Sequence, residues 1–243
     1  MGQKVLMING SFRKKNTYNV LVQIAQILKA HDIETEILNL FDYEINDCTG
    51  CDDLCVRRNG CSVKDDMPVI MQKIMDSDGF VLSSPVYLGG VTSRFKAFAD
   101  RTNAWFHKPE TAGKPVFFVT TTATTGIKET IQFFKQYTTG LGARQGGFLA
   151  RTAKSLSVPV GEKELARFLS LLQNDKKGYN PSMKEIVIFE VQKVLALKSK
   201  GQDREFWVEK KWIDTCYYYD CSMGLAKKAF SKMMFKILSN AIK

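Results

Sequence analysis

Histidine is nearly missing from this chain: His31 and His107 are the only two in 243 residues. One falls in a turn ahead of a strand pattern and the other at the end of a helical one. No Ser/His/Asp arrangement and no metal-hydrolase spacing can be assembled around them. The GxGxxG turn of dinucleotide-binding folds is absent, and so is the Gly-Lys-Ser/Thr closure of a nucleotide-triphosphate loop. There is no run of about 18 apolar residues to span a bilayer. A strand pattern entered at Lys4 leaves no room for a signal peptide, so a cytoplasmic location is expected. No internal repeat, low-complexity segment or nucleic-acid-binding motif accompanies the net charge of +10, and no nucleic-acid partner is expected.

What is present reads as an ordinary globular protein, 44% hydrophobic and 25% charged. Its length suits one large core with an appendage better than two independent domains. The charge is uneven: residues 176–243 carry 14 Lys/Arg against 7 Asp/Glu, a net +7 of the total. A solvated basic face is the plain reading of that excess.

Apolar periodicity predicts strands at residues 4–9, 33–38, 79–85, 114–121 and near 146–152. Helical patterns over 16–30, from Asp65/Asp66 through Ile74, over 92–106, 126–142 and 162–173 lie between and after them. Strands alternating with helices of this length imply right-handed crossovers and a parallel sheet covered on both faces. Five strands suit an α/β, flavodoxin-like, doubly wound five-stranded parallel sheet, assigned to residues 1–175. Residues 176–243 form a helical, aromatic and basic C-terminal extension. Two amphipathic helices, 181–200 and 223–243, flank an aromatic stretch containing Phe206, Trp207, Trp212 and Tyr217 to Tyr219. Such faces more often cover a core or a subunit partner than a membrane.

In doubly wound sheets ligands bind beyond the carboxyl ends of the strands, where strand order reverses. Three stretches fall there. "GSFRKKNT" follows the first strand and offers Ser11, Asn16 and Thr17, free amides at a helix start, and the positive charge of Arg13, Lys14 and Lys15. These groups suit a terminal phosphate, although ordinary helix capping by Asn16 or Thr17 would use the same residues. "SSPVYLGGVTS" places Pro85 where the strand must stop, then Val86, an aromatic Tyr87, Leu88, and Gly89 where backbone can approach a ligand. "TTTATTGIKE" supplies small hydroxyl residues, Thr122 among them, and Gly126 ahead of a helix.

Four of the six cysteines crowd into one stretch, Cys48-x2-Cys51-x3-Cys55-x5-Cys61. Such spacing allows a [4Fe-4S] cluster or a tetrahedral zinc, and equally free thiols or a local disulfide formed in air. Cys216 and Cys221 are expected as buried small hydrophobes.

Over residues 3–150, "NGSFRKKNTY", the cysteine stretch ending "GCSVKDDM", "SSPVYLGGVTSRFKAFADR" and "TTATTG" give the chain a resemblance. It is similar to the NAD(P)H-dependent FMN reductase and iron-sulfur flavoprotein branch of the flavodoxin-like superfamily. The resemblance implies FMN, with Ser11, Arg13, Asn16 and Thr17 at its phosphate and Pro85, Val86, Tyr87, Leu88, Gly89, Thr122 and Gly126 along its ring and ribityl chain. It implies NAD(P)H as co-substrate, a small-molecule electron acceptor such as a quinone or nitro compound, and a homodimer or larger assembly. Cys48, Cys51, Cys55 and Cys61 would be the ligands of a [4Fe-4S] cluster. The chain departs from the family's common pattern at Phe12, where proline usually stands, and between the second and third cysteines, where three residues replace two. Flavin chemistry accounts for the scarcity of histidine, because hydride transfer to a flavin needs no side-chain base. The alternatives are an electron carrier between protein partners, with ferredoxin a candidate reductant, and a flavodoxin-like interaction module whose basic tail binds a partner or an anionic membrane.

Overall fold

Along the strands, apolar side chains alternate between two buried faces. Leu6, Ile8, Phe80, Leu82, Val116 and Phe118 fill one core, while Val5, Met7, Val81, Phe117 and Val119 fill another. Strands buried on both sides need cover on both sides. The computed structural model, which describes residues 2–51, 60–199 and 201–242, supplies it. The strands are β1 (Lys4–Asn9), β2 (Glu34–Asn39), β3 (Gly79–Pro85), β4 (Pro115–Thr122) and β5 (Arg144–Thr152). They pair in parallel in the order β2-β1-β3-β4-β5, the flavodoxin-like arrangement.

The described helices are α1 (Asn16–Ala30), α2 (Met67–Met75), α3 (Ser93–Arg101), α4 (Ala104–His107), α5 (Ile127–Gly140), α6 (Glu162–Gln173), α7 (Met183–Lys198), α8 (Gln202–Glu209) and α9 (Leu225–Ala241). Helices α1 and α6 cover one face through Val20, Leu21, Ile24, Leu28, Leu165, Phe168 and Leu169. Helices α2, α3 and α5 cover the other through Ile70, Ile74, Phe95, Phe98, Ile131 and Phe134.

Several boundaries differ from the sequence reading, each for a local reason. The helix expected over 92–106 breaks at Thr102, whose hydroxyl donates to the Ala99 carbonyl at 2.8 Å, leaving α3 and the short α4. Strand β5 begins at Arg144, where the buried guanidinium donates to the carbonyls of Gly113 and Leu171. Asp66, the residue just ahead of α2, makes no side-chain cap hydrogen bond, whereas Asp65 accepts from the Met67 N–H at 3.1 Å; both carboxylates also turn back toward residues 44–46.

The extension has a core of its own, built from Tyr179, Ile186, Phe189, Trp207, Trp212, Tyr217, Tyr218 and Met223. The aromatic stretch therefore covers a core, as expected. Part of that stretch is the helix α8, which the sequence reading did not separate. Helix α7 is not simply amphipathic: Glu190, Gln192 and Lys193 are buried along with Ile186, Phe189 and Val194. Gln192 donates from Nε2 to the Gly140 carbonyl at 2.6 Å and the Trp207 indole donates to the His107 carbonyl at 2.8 Å, fastening the extension to the ends of α5 and α4. Trp207 is fully buried, so Trp207→Ala is expected to cost about 3–5 kcal/mol of stability, measured by denaturant unfolding.

Candidate functional site

Three loops leave the carboxyl ends of β1, β3 and β4, and hydrogen bonds bind them into one edge. The Gly10 N–H donates to the Ser83 carbonyl at 2.8 Å and the Val86 N–H to the Thr121 carbonyl at 2.8 Å. The Thr92 hydroxyl donates to the Gly10 carbonyl at 2.7 Å, and the hydroxyls of Thr17 and Thr121 lie 2.7 Å apart. A side chain at Gly10 would sit 2.8 Å from the Ser83 carbonyl, so only glycine permits this approach of β1 to β3.

The first loop is shaped by Asn9, a buried polar residue closing an apolar strand. Its side chain accepts from the Ser11 N–H at 3.2 Å and donates to the Ser11 carbonyl at 3.1 Å and to Asn39. The Ser11 hydroxyl donates to the Arg13 carbonyl at 3.0 Å. Arg13, Lys15 and Asn16 are exposed, and Lys14 is drawn to Asp42 at 3.4 Å. Thr17 is buried beneath the turn. No side chain caps α1, which leaves the positive end of its dipole to the solvent-facing side of this loop.

The second loop folds Tyr87 and Gly90 into a reciprocal pair of main-chain hydrogen bonds, 2.9 and 3.0 Å. The two residues at its tip, Leu88 (φ +47°) and Gly89 (φ +78°), are both left-handed, and a leucine there is strained. Leu88 is fully exposed and Tyr87 half exposed. In the third loop, Thr122 donates to the Thr125 carbonyl at 2.7 Å, and Gly126 (φ +87°) opens α5. A Cβ on Gly126 would collide with the Val86 side chain. The structure thus brings Ser11, Arg13, Asn16, Thr17, Pro85, Val86, Tyr87, Leu88, Gly89, Thr122 and Gly126 to one edge of the sheet.

That edge suits FMN on the chemistry of its donors: neutral hydroxyls, an uncapped helix start and exposed cations for a phosphate, then a glycine-lined approach for a flat ring. The cysteines are another matter. Cys48 borders a cleft with Ala99, Thr102 and Tyr137, whereas Cys61 opens on a second cleft with Met67, Met71, Arg101 and Trp105. Cys51 is half-buried. Cys55 lies outside the described residues. Among the described residues, no three Cys, His, Asp or Glu side chains gather as metal ligands.

Sequence reading missed the neck of the cysteine stretch. Arg101, at the end of α3, forms a bidentate ion pair with Asp65 and donates to the Asn46 carbonyl at 2.8 Å. The side chains of Arg101 and Asp65 are 1% and 0% exposed. Asp65 also accepts from the Asn46 N–H at 2.9 Å, and Asp66 from the Glu44 N–H at 2.7 Å. Both ends of the stretch are thereby held together. The signal in the sequence was the arginine inside "FKAFADR", at a helical spacing from buried phenylalanines.

A family model described as NADPH-dependent FMN reductase matches residues 3–147. An iron-sulfur flavoprotein of Archaeoglobus fulgidus is 42% identical over 99 residues, 41% of this chain and 48% of that protein. One of Methanocaldococcus jannaschii is 39% identical over 100 residues, 41% of this chain and 51% of that protein. The chain thus spans about half the length of these two relatives. A second Archaeoglobus fulgidus iron-sulfur flavoprotein is 29% identical over 229 residues, covering 86% of this chain and all of that protein. Among solved structures, RosB with a bound formylriboflavin phosphate intermediate aligns with a TM-score of 0.54 at 16% identity, over 71% of this chain and 77% of its own. This likeness shows the shared fold.

Proposed function

We propose, from the premise that the chain belongs to the NADPH-dependent FMN reductase family, that it binds FMN at the carboxyl edge of its sheet and is a flavin-dependent oxidoreductase. Electrons would pass from NAD(P)H to a small-molecule acceptor such as a quinone or nitro compound. The observation that carries this reading is the convergence of the three loops at the β1/β3 switch point beside the uncapped start of α1. Bound flavin would supply hydride acceptance and donation.

The chain's own residues would bind and orient. The amides opening α1 and the Arg13 guanidinium would meet the phosphate. Thr17, its hydroxyl already engaged with Thr121, would contribute its main-chain N–H, and Ser11 would hold the turn in shape through the Arg13 carbonyl. Pro85 to Gly89, Thr122 and Gly126 would border the ribityl chain and ring. The exposed Leu88 and Tyr87 at the rim fit a site completed by a second subunit, in line with a homodimer or larger assembly. Residues 1–175 would carry this chemistry and 176–243 form an added unit with its own core.

Arg13→Ala is expected to weaken FMN binding about tenfold, the loss of one charge-assisted contact, measured by quenching of flavin fluorescence on titration. Wild-type protein should then oxidise NADH or NADPH with a dye acceptor. If flavin binds but only reduced ferredoxin delivers electrons, the second reading holds, an electron carrier between proteins. The crowded cysteines and the relatives named iron-sulfur flavoprotein favour that reading.

A further inference from the structure

Helix α9 is held to the molecule along one face. Ser231 is its one fully buried residue, bonded to the buried Glu190 carboxylate of α7, with Phe230, Met234, Phe235 and Leu238 half-buried around it. The opposite face is organised. Leu225, Ala229, Met233 and Ile237 follow one another at intervals of four and are all exposed, so they form one ridge along the helix. Leu225 is 88% exposed, Met233 50% and Ile237 51%. Beside this ridge Lys228, Lys232 and Lys236 form a second row, also at intervals of four and also exposed.

No aspartate or glutamate occurs after Asp220. Lys210 and Lys211, just past α8, line the same cleft as Leu225, Lys228 and Lys232, against two carboxylates there, Asp214 and Asp220. Among the described residues this face is left exposed, apolar along its crest and basic along its flank.

We propose that α9 lies flat on an anionic lipid surface, with Leu225, Met233 and Ile237 entering the headgroup layer and Lys228, Lys232 and Lys236 meeting lipid phosphates and carboxylates. A helix that binds in the plane of a membrane combines a strongly cationic polar side with large apolar residues on one stripe. The ridge from 225 to 237 is about 18 Å long, a line of contact rather than a pocket. Pairing of this face with itself in a second copy of the chain is disfavoured, because α9 carries four lysines and no acidic side chain, and only Asp214 and Asp220 oppose the lysines in the adjoining cleft. The helix does not cross the bilayer: no helix among the described residues is long and apolar enough to do so. This inference is independent of the flavin reading.

The test is flotation of the purified 243-residue chain with phosphatidylcholine vesicles, with and without about 30% phosphatidylserine. Recovery with the anionic vesicles is expected to exceed that with neutral ones about tenfold. It should fall away in 1 M salt, where the screening length drops from about 10 Å to about 3 Å. Leu225→Ser/Met233→Ser/Ile237→Ser and Lys228→Glu/Lys232→Glu/Lys236→Glu should each abolish the difference while melting temperature and size-exclusion volume stay unchanged. If a triple variant unfolds, Ile237→Ser and Lys232→Glu singly are read, each with a several-fold loss. Equal recovery from both vesicle types overturns the proposal. So does undiminished binding by the lysine variant, and so does a wild-type dimer that the apolar variant splits, which would assign the face to a second copy.

Discussion

Arg101→Met is expected to lower the free energy of unfolding by about 3–5 kcal/mol, the cost of leaving the buried Asp65 carboxylate without its partner. Both side chains are almost inaccessible, so water cannot replace the lost guanidinium. Burial acts to raise the Asp65 pKa, but the hydrogen bonds from Arg101 and from the N–H groups of Asn46 and Met67 outweigh it and hold the carboxyl below the ordinary aspartate range. Because the folded value is depressed, the stabilisation is present above the unfolded value of about 3.9. It is lost as pH falls through the folded value. Denaturant unfolding near neutral pH should therefore show the full deficit of Arg101→Met, with the gap to wild type closing in strong acid. Pairing it with Asp65→Leu should recover much of the loss, since an apolar pair strands no charge. A variant that unfolds like wild type would show that the pair contributes nothing.

Gly126→Ala is expected to reduce FMN affinity at least tenfold, about 1.4 kcal/mol, with little change in the core. Two costs combine. The backbone there has φ +87°, a conformation L-residues adopt at a penalty of roughly 1–2 kcal/mol. The new methyl would also collide with the Val86 side chain and meet Gly89 at 3.1 Å, so the second and third loops must separate. Flavin titration reads the affinity and thermal unfolding the fold. Val86→Ala added to Gly126→Ala should restore part of the binding, because it removes the atom in the way while leaving the dihedral strain. Unchanged affinity in Gly126→Ala would mean that these two loops do not shape the ring site.

The sheet was legible because its strands are short apolar runs separated by amphipathic segments; helical spacing puts Val20, Leu21, Ile24, Ile27 and Leu28 on one stripe, and all of them but the half-buried Ile27 are buried together. The convergence of the three loops was legible for the same reason, since topology alone sends the carboxyl ends of parallel strands to one edge. Long-range polar contacts were not. Nothing local in "NG" announces that Asn9 braces Ser11, or that Thr17 reaches a threonine 104 residues away. Asp65 reads as a helix cap because capping is a local pattern, whereas its partner Arg101 lies 36 residues on. In the extension, burial of Glu190 and Lys193 beside each other at 3.0 Å hid an inward-facing polar pair inside what looks like a simple amphipathic stripe.

The floor beneath the three loops is tied by threonine to threonine, threonine to carbonyl, and asparagine to main chain. None of these groups gains or loses a proton between weakly acid and weakly alkaline solution. These ties are thus indifferent to hydrogen-ion concentration over that range, and in the flavin site proposed above any acid or alkaline limb of a turnover profile would arise outside them, as in the flavin with its phosphate or in the molecule that takes up the electrons.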